Sequence, residues 1–154
     1  YDVNKTTFPE GIEYAVMCYN LYGTHSGPGP KADKAFLKET FARCSNLPGE
    51  VSAAFSTGGF VWSDGQYERA VTETVAREIY ALAEGKVGEL LRDEESGAMH
   101  FTFEEEGVTK ELWYADGETL RQWKAVAKEC GIRKFSLWKV GGNSKSSLSA
   151  FADK

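Results

Sequence analysis

The sequence predicts an α/β fold, with parallel strands joined through helices and a small α+β unit inserted among them. Three observations predict it. Short apolar runs alternate with stretches at helical spacing, the rhythm of βαβ units. The run over residues 12–19 alternates weakly and is mostly apolar, as in buried strands of parallel sheets, and 50–56 reads as a second buried strand. Two alternating segments flanking "EEEG" then break that rhythm with an antiparallel hairpin. A length of 154 residues suggests one domain, with room for an insertion.

The elements follow in order. Ile12, Tyr14, Ala15, Val16 and Met17 predict a buried strand over 12–19, and the Gly/Pro-rich "GTHSGPGP" over 23–30 is a loop long enough to carry function. Phe36, Leu37, Phe41 and Cys44 share one face of a helix over 32–45, which "NLPGE" breaks. "EVSAAFS" over 50–56 is a second buried strand, followed by "TGGFVWSDG" as a second loop. Val71, Val75, Ile79 and Leu82 line a stripe on a helix over 67–84 that Gly85 stops. Met99, Phe101 and Phe103, then Val108, Leu112 and Tyr114, form the hairpin. Asp116 caps a helix over 118–130 that turns Leu120, Trp123, Val126 and Ala127 inward and ends at Gly131. "RKFSLWKV" over 133–140 is the last strand, and a short helix near 146–152 closes the chain.

Composition narrows the function classes. The net charge is −5 and no Lys/Arg stripe is interleaved with aromatics, so nucleic acid is not an expected partner. No apolar run reaches the roughly 18 residues that span a membrane, so no membrane partner is expected. The chain starts at Tyr1 rather than Met, so its natural N-terminus is expected upstream and the absence of a signal peptide says nothing about compartment. Cys18, Cys44 and Cys130 are odd in number and widely spaced, which fits small core residues rather than a disulfide framework or zinc site. The acidic runs Asp93–Glu95 and Glu104–Glu106 lack the alternation of a calcium loop and read as solvated turns. His25 and His100 read as exposed, and Trp113 and Trp123 as core. The Gly-rich stretches lack phosphate-loop spacing. Nothing calls for a metal or cofactor.

Aromatics cluster where predicted strands end: Tyr19, Asn20 and Tyr22 after the first, Trp62 after the second, and Trp138 near the end of the last. Rings and hydroxyls suit a sugar, whose C–H faces stack on rings and whose hydroxyls satisfy Tyr O–H and Trp N–H. Three blocks carry a family resemblance: "VMCYNLYG", "FVWSDG", and the run from Leu90 to Gly142 that contains "LWYAD" and "GIRKFSLWKVGG". The chain resembles the C-terminal part of glycoside hydrolase family 18, the chitinase-like barrels, and especially the branch acting on cell-wall glycans and spore cortex.

The resemblance implies the C-terminal portion of a (β/α)8 barrel, about three of its eight parallel strands, carrying an α+β insertion. Residues 1–66 would hold the region of the sixth and seventh strands, 67–115 the insertion, and 116–154 the last strand with its flanking helices. It implies substrate-assisted retaining hydrolysis. Tyr19 would hold the substrate's acetamide in line, Asn20 would contact the distorted ring, Trp138 would form the floor, Met17 would pack beneath the acid, and Trp62 and Tyr22 would add to the binding wall. The family's Asp-x-x-Asp-x-Asp-x-Glu signature does not occur here, and Asn20 stands where the family carries Asp. The expected partners are an N-acetylated oligosaccharide or polysaccharide and the N-terminal half of the barrel, with self-association through bare sheet edges. The expected place is secreted or envelope-associated. Two readings stay open beside the hydrolase: a chitinase-like lectin and a stand-alone interaction domain.

Overall fold

The structure, a computed structural model, describes residue 3, residues 5–83 and residues 85–153. It holds two sheets. The elements run β1 (Glu13–Met17), α1 (Lys34–Cys44), β2 (Glu50–Phe55), β3 (Gly58–Ser63), β4 (Gln66–Val71), α2 (Glu73–Leu82), β5 (Leu91–Arg92), β6 (Met99–Glu105), β7 (Val108–Ala115), α3 (Gly117–Glu129), β8 (Lys134–Leu137) and α4 (Lys145–Ala152). The first sheet is parallel, in the order β1-β2-β8; the second has the order β4-β3-β7-β6-β5 and its pairings are antiparallel.

The parallel sheet is the α/β frame the sequence predicts. Residues of β2 bury Ala53 and Phe55 against Leu37, Phe41, Leu120, Trp123 and Ala127 from α1 and α3. The periodicities of these two helices hold. Both helices start on an acidic cap: Asp33 accepts from the Phe36 N–H, and Asp116 and Thr119 form a reciprocal capping box. β1 and β8 differ from expectation. Each pairs on one side only, and each alternates between exposed and half-buried residues rather than lying fully covered.

The antiparallel sheet begins earlier than expected. Residues 58–63 are not loop and 67–71 are not helix; they belong to the hairpin β3–β4, so the antiparallel sheet starts at Gly58, ahead of the hairpin expected from Met99. The physical cause is the dipeptide Asp64-Gly65. Both residues have positive φ (50° and 74°), the geometry of a tight two-residue hairpin turn. Gly59 looks like a breaker but is required by packing: a side chain there would run into the Trp113 carbonyl of β7. Thr72 then caps α2 by accepting from Val75 N–H. The apolar stripe expected on this helix is only partly used. Ala76 is buried with Ile79 and Tyr80 packed beside it, whereas Val75 and Leu82 face solvent. The positive φ of Gly85 (80°) agrees with its predicted stop, and residue 84 lies outside the described residues.

Smaller corrections concern single side chains. Cys18 and Cys44 are buried as expected, but Cys130 is exposed because it is the C-cap of α3, beyond the packed face. Trp113 is half-buried rather than core: its ring stacks on His100 at 4.1 Å between centroids, and its N–H donates to Glu111. That stack also covers His100, which is half-buried.

Candidate functional site

Register brings the strand ends of the parallel sheet level. Met17 lies opposite Ala54, and Phe55 lies opposite Leu137. Pairing continues one residue further on both sides: Cys18 N–H donates to Ala54 O and Trp138 N–H to Phe55 O. The residues that follow, Tyr19, Ser56 with Thr57, and Trp138, therefore emerge at one end of the sheet. There they meet the hairpin β3–β4, and between them lies a cleft of about 350 Å³. That is near the lower end of the size range of small-molecule sites.

Tyr19 and Trp138 share this cleft with Lys31, Ser56, Thr57, Phe60 and Lys139. Trp138 is 62% exposed, so most of its ring is open to a ligand. Its peptide bond to Lys139 is cis. Tyr19 is half-buried; burial, and secondarily the adjacent Cys18 thiol, push its hydroxyl above the usual tyrosine range. It is therefore a neutral O–H, able both to donate and to accept, across physiological pH.

The floor is tied together by hydrogen bonds. Lys31 Nζ donates to Ser56 Oγ at 2.9 Å and to Thr57 O at 2.8 Å, and lies 5.1 Å from the Phe60 ring centre. Burial pulls its pKa down to about 8. The segment after Trp138 is held on three sides. Asn143 Nδ2 donates to Thr57 Oγ1 at 2.6 Å, Gly142 O accepts from both Thr74 N–H and Thr74 Oγ1, and Ser144 N–H donates to the fully buried Glu73. Gly142 has φ 68°, and a side chain on it would press on Thr72.

Four of the expected site residues lie elsewhere. Trp62 is 1% exposed, and its indole N–H donates to Ser26 O at 3.1 Å. It pins the 23–30 loop from inside instead of lining the cleft. Tyr22 presses its ring over Gly29 and borders a different groove with Asp33, Asp93 and Trp113. Met17, 62% exposed, and Asn20 line a third depression, on the β1 side, with Phe36 and Arg43. Tyr19 and Asn20 follow the end of β1 at Met17, so the turn of the chain there, rather than strand alternation, sends Tyr19 to the cleft and Asn20 to the β1 side. The sequence reading missed Lys31 and Phe60. Phe60 was legible as the residue two before Trp62 once β3 is read as a strand; Lys31 had no local signal, because only the loop's return past Leu21, whose N–H donates to Lys31 O, brings it to the cleft.

Among the described residues no group of three or more His, Cys, Asp or Glu is placed to hold a metal ion, and no helix is long and apolar enough to cross a membrane. Neither a protein-family model nor a curated protein matches the sequence. Solved structures do match. The spore cortex-lytic enzyme SleL of Bacillus cereus aligns with TM-score 0.77 at 21% identity, over 89% of this chain and 33% of that one. A chitinase from Chromobacterium violaceum aligns with TM-score 0.78 at 15% identity, over 92% and 46%. A glycoside hydrolase family 18 N-acetylglucosaminidase from Paenibacillus barengoltzii aligns with TM-score 0.63 at 16% identity, over 89% and 47%. The chain thus spans about a third to just under half of these proteins. At the level of the fold, the resemblance carried by the three sequence blocks holds: this chain shares the fold of a segment of glycoside hydrolase family 18-type proteins.

Proposed function

We propose that this chain is the substrate-binding C-terminal part of a family 18-like hydrolase of N-acetylglucosamine-containing glycans, chitin or peptidoglycan. The observation that carries the reading is the shared cleft of Tyr19 and Trp138 at the level ends of three parallel strands. The three strands correspond to the sixth, seventh and eighth of a (β/α)8 barrel, whose sites lie at the C-terminal ends of strands. The neighbours named as chitinases and as a spore cortex-lytic enzyme support the glycan class, and they favour an envelope-associated or secreted place for the whole protein.

The chemistry assigned to these residues is positioning. The open face of Trp138 stacks on the sugar and its acetamide. The Tyr19 hydroxyl donates to the acetamide and aligns its carbonyl oxygen with the anomeric carbon, which it attacks in substrate-assisted hydrolysis. Well-oriented intramolecular attack of this kind lowers a barrier by about 7–11 kcal/mol. General acid catalysis, worth roughly 10²–10⁴-fold, needs a carboxyl group, and the described lining residues of the cleft supply none. Met17 and Asn20 face the side on which further barrel strands would add, and their roles wait on those strands.

Titration of the chain with N-acetylglucosamine oligomers, followed by tryptophan fluorescence, tests the reading. Binding that disappears in Trp138→Ala and weakens in Tyr19→Phe is expected; a Trp138→Ala variant that binds equally well overturns it. The chain alone is expected to release no reducing sugar from chitin oligomers or peptidoglycan. The lectin reading is favoured by one observation, the absence of any carboxylate among the cleft residues together with Asn20. Hydrolysis by the protein that includes the preceding strands separates the two: turnover identifies the enzyme, and binding without turnover the lectin.

A further inference from the structure

The charge lining the cleft runs against the charge of the chain. The whole molecule carries −5, yet the charged side chains at the cleft are Lys31 and Lys139, with no Asp or Glu among its lining residues. Among the described residues neither lysine has a carboxylate partner. Lys31 spends two of its three ammonium hydrogens on Ser56 Oγ and Thr57 O, both neutral acceptors, which leaves one donor uncommitted. Lys139 is exposed on the cleft rim directly after Trp138. Some other lysines do find acids: Lys86 pairs with Glu104, Lys110 bridges Glu68 and Glu105, and Lys134 bridges Glu13 and Glu50, whereas Lys34 and Lys124 donate to backbone carbonyls.

A half-buried ammonium without a counter-ion is costly, as the depressed pKa of about 8 for Lys31 reflects. An anionic group entering the cleft would remove that cost and gain a charge-assisted hydrogen bond. A neutral sugar would not.

Resting on the sugar-binding reading above, we infer that Lys31 and Lys139 select a carboxylate-bearing acetamido glycan over a neutral one. Lys31 takes the carboxylate at the floor while Trp138 holds the ring, and Lys139 adds attraction from the rim. Two sources present that chemistry: a lactyl ether on the acetamido sugar itself, and a neighbouring uronic acid.

The test is a set of titrations of the chain followed by NMR, with a neutral N-acetylglucosamine disaccharide, N-acetylmuramic acid, and a disaccharide of N-acetylglucosamine and glucuronic acid. At least one anionic probe is expected to bind about tenfold or more tightly than the neutral one, the scale of one hydrogen bond to a charged group. The preference shrinks at high salt, and whichever anionic probe shows it identifies the source. Lys31→Met and, because that change also removes two internal hydrogen bonds, the exposed Lys139→Met are each expected to reduce the ratio of anionic to neutral affinity. Equal affinity for all three probes, or a ratio unchanged in both variants, overturns this inference and leaves the sugar-binding reading standing. No response to any probe overturns the sugar-binding reading and this inference with it.

Discussion

The two sheets of this molecule solve the problem of their edges differently. The antiparallel sheet is finished. Its outer strand β4 carries Glu68 and Arg69, locked with Lys110 and Glu105 into a charged network, and its other edge, β5, is only two residues long. Charged and very short edges resist further pairing. It also has a core of its own, where Phe101, Phe103, Leu112 and Tyr114 pack with Val61 and Ala76. The parallel sheet is open. Among the described residues β1 and β8 each leave one side unpaired, and Ile12, Met17, Trp138 and Val140 expose 49–75% of their surface around it. Charge guards the N-terminal end of its strands, where Lys134 joins Glu13 and Glu50. One chain thus contains a sheet with guarded edges and a sheet with open ones.

The largest expected effect follows from that contrast. The isolated chain is expected to self-associate with rising concentration, and Ala15→Lys, which places a charge on exposed β1, is expected to restore the monomer. Light scattering decides; a clean monomer of the unsubstituted chain at high concentration denies that the bare edges matter. Next comes the core that joins the halves. Trp123 is fully buried against Phe55, and its indole N–H donates to Ser96 O at 2.8 Å. Trp123→Ala is expected to cost about 3–5 kcal/mol in urea unfolding, and a loss below about 1 kcal/mol would show that α3 does not anchor the parallel sheet.

A smaller effect is expected where the chain passes from the antiparallel sheet into α3. Asp116 caps that helix and receives both Nη groups of Arg92, at 3.0 and 2.8 Å. Burial pushes its carboxyl up, but the bonds from Arg92 and Thr119 outweigh burial and hold it below the usual aspartate range. A pKa lowered by folding contributes stability that is present above the unfolded value, about 3.9, and is lost as pH falls through the lower folded value. Asp116→Ala is therefore expected to cost about 2 kcal/mol at neutral pH, with the gap to the unsubstituted chain closing in unfolding curves below about pH 4. A gap independent of pH would contradict the ion pair. The smallest effect is expected at the guarded edge. Lys110→Met breaks a surface ion-pair network and is expected to shift the thermal midpoint least of these variants, less still at high salt; a shift as large as that of Asp116→Ala would mean that the edge network supports the sheet rather than shielding it.

What the sequence determined by itself is local. Apolar period 3.6 marked α1 and α3, and the faces predicted for them are the faces buried. Asp116 announced a cap, and "EEEG" a hairpin whose turn residues Glu106 and Gly107 both have positive φ. The hairpin β3–β4 was equally written in Asp64-Gly65, but Val71, Val75, Ile79 and Leu82 mimic a helical stripe, and that period hid both the strand and the Thr72 cap. Tertiary structure alone decided the rest. Whether Trp62 or Trp138 meets solvent depends on what lies over each: the 23–30 loop closes Trp62, and nothing among the described residues closes Trp138. The same loop delivers Lys31 to a cleft whose other walls come from β3 and from beyond β2 and β8. Hydrophobic period and turn chemistry act over a few residues and can be read from them; exposure and charge at a cleft are sums over segments far apart in the chain, and only folding adds them.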